Sequence, residues 1–184
     1  MKKIAVVFLA AVASLFLVSR AYALDFNFDL NFPDISKAAK AVIKLQKCKT
    51  IKQKLETKKS EYNFTGGKIK NNFKAVSTEL EKVQKKLDEE GYDVIELKKD
   101  INIYNDKYND FDYKYEVTGT KMVQASFPDC EQGSDDSMER MKDSLKEIRD
   151  GMKEVKALAK EVKKIYRDEI KPDLYTLSAQ KYKE

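Results

Sequence analysis

The chain has 184 residues, with 36 Lys and Arg against 31 Asp and Glu, two cysteines, and neither histidine nor tryptophan. The absence of histidine removes the commonest general base, the commonest transition-metal ligand and any simple switch near neutral pH. The formal charge of +5 shrinks once the leader described next is set aside, which argues against a nucleic-acid binder.

"MKKIAVVFLAAVASLFLVSRAYA" combines two lysines, an apolar run from Ile4 to Val18, and Ala21 and Ala23 in an A-x-A arrangement. That is the layout of a secretory signal peptide over residues 1–23, cleaved after Ala23. Arg20 cuts the run short of the roughly 20 apolar residues that a membrane span requires. The expected location is therefore secreted or periplasmic. Cleavage leaves 184 − 23 = 161 residues and removes Lys2, Lys3 and Arg20, so the balance becomes 33 against 31, or +2. A chain of that length supports one modest domain.

Residues 24–33, "LDFNFDLNFP", alternate Leu24, Phe26, Phe28, Leu30 and Phe32 with Asp25, Asn27, Asp29 and Asn31. This is a strand's period in front of a helical chain, and it predicts an extended N-terminal arm. Such an arm lies across the bundle, is ordered only on binding, or adds a strand to another chain, which would be self-association or capture of a target sheet. Its acidic residues do not make a calcium loop, because Leu30 stands where glycine is needed and Ser36 where a bidentate glutamate is needed.

Residues 34–184 read as one all-α, antiparallel helical bundle of three to four long helices with coiled-coil-like packing. Asp34 or Ser36 caps a first helix carrying Ile35, Ala38, Val42, Leu45, Cys48, Leu55 and Tyr62 on one stripe. Gly66-Gly67 is expected to break it, since paired glycines permit left-handed backbone. A second series then runs through Ile69, Phe73, Val76, Leu80, Val83, Leu87, Glu90, Val94, Leu97, Ile101, Tyr104, Tyr108, Phe111 and Tyr115. Spacings of four and three alternate throughout, as in helices packed at a shallow angle with knobs in holes.

Gly91 lies inside that series and can stop a helix, with Asp93-x-x-Glu96 as a fresh capping box. The expected helices are 34–62, 68–90, 93–118 and 135–171; the alternative is one straight middle helix running through Gly91. Met138, Met141, Leu145, Ile148, Met152, Val155, Ala159, Val162 and Tyr166 form the last seam, where methionine reads as core packing and not as a copper site. Pro172 is expected to end or kink that helix. Asn63-Phe64-Thr65 is a glycosylation sequon, relevant only to eukaryotic secretion.

Cys48 and Cys130 are the only cysteines, and export makes a bridge between them the expected pairing. No phosphate-binding glycine loop, nucleophile elbow or paired-cysteine motif is present, so no cofactor, metal or catalytic residue is assigned. The expectation is a non-enzymatic exported bundle that binds another protein in a scaffold, chaperone-like, adhesin or inhibitor role. Tyr104, Tyr108, Phe111 and Tyr115 continue the seam, which reads first as a polar-tipped aromatic core, while Tyr113 points elsewhere. Read functionally, the candidate contact residues are Phe26, Phe28 and Phe32 of the arm and Tyr104, Tyr108 and Tyr113, because tyrosine offers a large area with little entropy to lose. The alternative is a carrier of lipid or another amphipathic ligand within the bundle, so membrane or lipid contact stays open while nucleic acid does not.

Overall fold

The computed structural model describes residues 42–125 and 135–180. The leader, the arm with Phe26, Phe28 and Phe32, the caps at Asp34 and Ser36, and Cys130 lie outside the described residues. Within them the chain is helical without strands: α1 (Val42–Glu61), a π turn (Tyr62–Gly66), α2 (Gly67–Glu89), α3 (Ile95–Gln124), α4 (Asp135–Ile165), a second π turn (Tyr166–Ile170) and α5 (Lys171–Gln180). No described helix is long and apolar enough to cross a membrane.

Two sequence expectations need correction. The chain does not break at Gly66-Gly67: Gly67 is right-handed helical at φ −59° and ψ −40°, and α1, the π turn and α2 follow one another without interruption. Pro172 does not end the last helix either; it sits in the first turn of α5, and the helix continues to Gln180. Proline is tolerated there because the π turn before it already displaces the usual backbone bonding. The long helices therefore number three, not four.

The break at Gly91 is real, and the straight middle helix is not. Gly91 has φ +86°, Gly91 N–H donates to the Asp88 carbonyl and Tyr92 N–H to the Leu87 carbonyl, both at 3.0 Å. This is the paired bonding of a Schellman stop, which needs a left-handed residue after the helix. Asp93 Oδ1 then accepts from Ile95 N–H at 3.2 Å, capping α3.

The chain divides into two compact units. The first, residues 68–112 and 156–180, packs α2 against the start of α3 and the end of α4 with α5. Phe73 meets Phe111 edge to face at 5.2 Å, and the Tyr104 hydroxyl donates to the Phe73 carbonyl at 3.2 Å. Lys70 pairs with Asp112 at 2.7 Å while Ser77 donates to Asn105 at 2.7 Å, so numbers rise along α2 as they fall along α3. Lys107 joins Glu161 at 3.5 Å.

The second unit, residues 42–67, 113–125 and 135–155, packs α1 and its π turn with the end of α3 and the start of α4. Lys114 pairs with Glu154, and Lys121 with Glu147 at 2.8 Å. Lysines 107, 114 and 121 and glutamates 161, 154 and 147 each step by seven, the spacing at which flanking charges select the neighbouring helix in a coiled coil. As exposed pairs they add little to stability; their role is to fix which faces meet. Gly151 lets α4 approach α3 closely: a Cβ there would stand 2.6 Å from Thr118 Oγ1.

The buried series of α1 and α2 reads Cys48, Ile51, Leu55, Tyr62, Gly66, Ile69, Phe73, Val76 and Leu80. Cys48, Leu55, Tyr62, Ile69 and Val76 are seven apart, so no residue is inserted. At the first π turn the second seam position moves from three residues after the heptad position, as at Ile51, to four after it, as at Gly66, Phe73 and Leu80. In α4 the series steps by four from Val162 through Tyr166 and Ile170 to Leu174, one residue more than a three–four alternation gives. The second π turn lies within that stretch, where it takes up the additional residue while keeping the helix continuous.

Candidate functional site

The second unit builds its most distinctive surface around the first π turn. Tyr62 opens the turn, is fully buried, and stacks on Tyr115 of α3 with centroids 4.8 Å apart and planes 15° from parallel. Its hydroxyl donates to the Tyr115 carbonyl at 2.9 Å. Burial, then the neighbouring Tyr115 and Glu116, push the Tyr62 phenol far above its ordinary value of 10.0. The sign is that of a raised acid: the folded chain favours the protonated phenol, so this contribution is complete below pH 10 and declines as alkali ionises Tyr62 in the unfolded chain.

Gly66 closes the turn against the same ring. A Cβ on Gly66 would overlap Tyr115 Cε2, whereas one on Gly67 would meet only the Tyr115 hydroxyl at 3.9 Å. Gly119 of α3 faces Tyr62 from the other side, with a notional Cβ at 3.6 Å from the ring. The two rings are thus held between glycines of the helices that carry them.

Beside this stack lies a groove of about 480 Å³, lined by Tyr62, Asn63, Tyr115, Glu116, Gly119, Thr120, Val123 and Gln124. It offers aromatic edges, two side-chain amides, a hydroxyl and one carboxylate. Val123 is 64% exposed, and Phe64, next to Asn63 in the π turn, is 65% exposed. Both are large apolar groups with most of their surface exposed.

The sequence candidates are distributed differently. Tyr104 is in the core of the first unit, where its hydroxyl is spent on Phe73. Tyr108 is half-buried, and burial, then Asp112, raises its phenol. Tyr113, at 72% exposure, is the one of the three tyrosines that faces solvent. It precedes Glu116, Thr120 and Val123 by three, seven and ten residues, a spacing that puts all four along one side of α3. Phe26, Phe28 and Phe32 lie outside the described residues. The structure therefore does not bring the candidates together. The residues that do converge, Tyr62, Asn63, Gly119 and Val123, carried only the broken seam spacing at Tyr62–Gly66 as a signal.

A second concentration of polar groups sits in the first unit. Asp173 has a buried, unpartnered Oδ2, and burial, then Asp100 and Glu96, raise its carboxyl above the usual range. Among the described residues no three acidic, cysteine or histidine side chains are placed to hold a metal ion.

Gly66→Ala should cost about 1–3 kcal/mol through overpacking against Tyr115, while Gly67→Ala should be neutral or slightly stabilising in a continuous helix. Chemical denaturation of the two variants checks this, and equal effects would contradict the Gly66–Tyr115 contact.

Comparisons with known protein families, with curated proteins and with solved structures find no match to this chain.

Proposed function

We propose that the chain is an exported, non-enzymatic helical-bundle protein that binds another protein through the second unit. The observation carrying this reading is the groove beside the Tyr62–Tyr115 stack, with Phe64, Val123 and Tyr113 held exposed on a rigid base. Rigid aromatic and apolar groups around a shallow groove are the composition of protein contact surfaces, where little conformational entropy is lost on binding. The alternative, a carrier of lipid within the bundle, is less well supported. Its helices would have to part along seams that buried side chains and interhelical bonds hold together.

A Cys48–Cys130 bridge belongs to the same proposal. Cys48 is 1% exposed, and no free cysteine is found among the described residues. Chain length also supports it. Cys48 lies 14 residues before Tyr62, or ~21 Å along the helix. Gly119 faces Tyr62, and α3 continues from Gly119 for five residues to Gln124, about 7.5 Å. The remaining ~13.5 Å is within the ~20 Å that six residues span when extended. Digestion of the secreted protein without reductant should therefore release one joined peptide pair containing both cysteines; two separately alkylated peptides would contradict the bridge.

The binding reading is tested by affinity capture from the native compartment with the wild-type chain and with a Phe64→Ser, Val123→Asp variant. A partner protein held by the wild type should be lost at least tenfold by the variant at unchanged melting temperature, since surface substitutions of this kind shift stability by only about 0.5 kcal/mol. Equal recovery would remove the groove from the account. A retained lipid in native mass spectrometry would favour the carrier.

A further inference from the structure

Of the eight asparagines in the chain, Asn63 alone has a serine or threonine two residues on with no proline between, as Asn63-Phe64-Thr65. That pattern is the acceptor for N-linked glycosylation in exported proteins. Bacterial transferases that attach sugar to asparagine require in addition a carboxylate two residues before it, and Glu61 stands there. Glu61-Tyr62-Asn63-Phe64-Thr65 therefore meets the demand of either export route, and the site is not confined to eukaryotic secretion.

The motif occupies the outer side of the first π turn. Tyr62 and Gly66 are buried, while Glu61, Asn63 and Phe64 are exposed. The Asn63 side chain makes no hydrogen bond among the described residues, so its amide has no structural task to lose. Asn105 is the contrast. Its carbonyl oxygen accepts from Ser77 at 2.7 Å and its amide N–H donates to Glu81 at 3.0 Å, and a substituent on that nitrogen would disturb both. Thr65 is likewise unengaged, whereas Thr50, Thr57, Thr78 and Thr176 each donate to the carbonyl four residues back. Asparagine and threonine are both poor helix formers, and inside this continuous rod neither is accounted for by a hydrogen bond that it makes. The acceptor motif accounts for both.

We propose that Asn63 carries an N-linked oligosaccharide. The Asn63 Nδ2 forms a bond to the anomeric carbon of a lipid-linked oligosaccharide diphosphate. The bond from that carbon to the diphosphate oxygen breaks, the lipid diphosphate leaves with the electron pair, and the amide gives up one of its two protons. Nothing is oxidised or reduced. Transfer belongs to export, while the emerging chain is not yet helical. The folded rod then presents the product on its outer side, where a bulky, polar group meets water and not packed side chains. Because Asn63 also lines the groove, the sugar becomes part of the surface that any partner of the groove meets. The inference rests on the export part of the proposed function and on no particular partner.

Mass spectrometry of the tryptic peptide Ser60–Lys68, from protein collected after export by its own source, tests the proposal. The peptide should carry an added mass that fragments as successive sugars and localises to Asn63. Asn63→Gln and Thr65→Ala should each abolish the addition and Thr65→Ser should keep it, all with unchanged helical circular dichroism. Glu61→Gln should abolish it in a bacterial source and leave it in a eukaryotic one. An exported, leader-free chain whose Ser60–Lys68 peptide is wholly unmodified would overturn the proposal. A chain that stays inside the cell would contradict export instead, and the same peptide from a chain exported behind a substituted leader then decides the site.

Discussion

The stack of Tyr62 on Tyr115 sits where the first rod passes through the Tyr62–Gly66 turn without a break. Cys48, Leu55, Tyr62, Ile69 and Val76 keep a step of seven through it, and the second seam position moves from three residues on, as at Ile51, to four on, as at Gly66 and Phe73. The turn is affordable because Tyr62 fills the space it opens, stacking on Tyr115 and donating to its carbonyl, and because Gly66 leaves room for that ring.

Much of this fold was legible in the residues, and the illegible part has a physical explanation. The seams of α2, α3 and α4 follow directly from the four-three alternation, and the Gly91 stop follows from a glycine ahead of an Asp cap. Gly66-Gly67 misled because glycine pairs permit a turn without requiring one. Here the requirement acts on Gly66 alone, and it comes from the Tyr115 ring, a residue 49 positions away in sequence. Local propensity cannot report such a constraint. Tyr104 was legible as a seam residue, and the Phe73 carbonyl satisfies its polar tip inside the core.

The site follows the same logic. Tyrosine at a seam position was readable as core, and Tyr113, off the seam of α3, is the candidate that faces solvent. Tyr62 and Tyr115 form a buried base, and Phe64, Val123 and Tyr113 remain outside in the same unit. A groove next to a widened turn is a common place for function, since the turn redirects side chains that a regular helix would space evenly.

Amide hydrogen exchange across residues 58–70 tests the central claim most directly. A helix that runs through the paired glycines around the Tyr62–Tyr115 stack predicts slow, cooperative exchange from Lys58 through Lys70, with Gly66 and Gly67 as protected as their flanks. Fast exchange at Gly66 and Gly67 between two protected helices would mean that the chain bends there. The groove built on the turn would then have no rigid base.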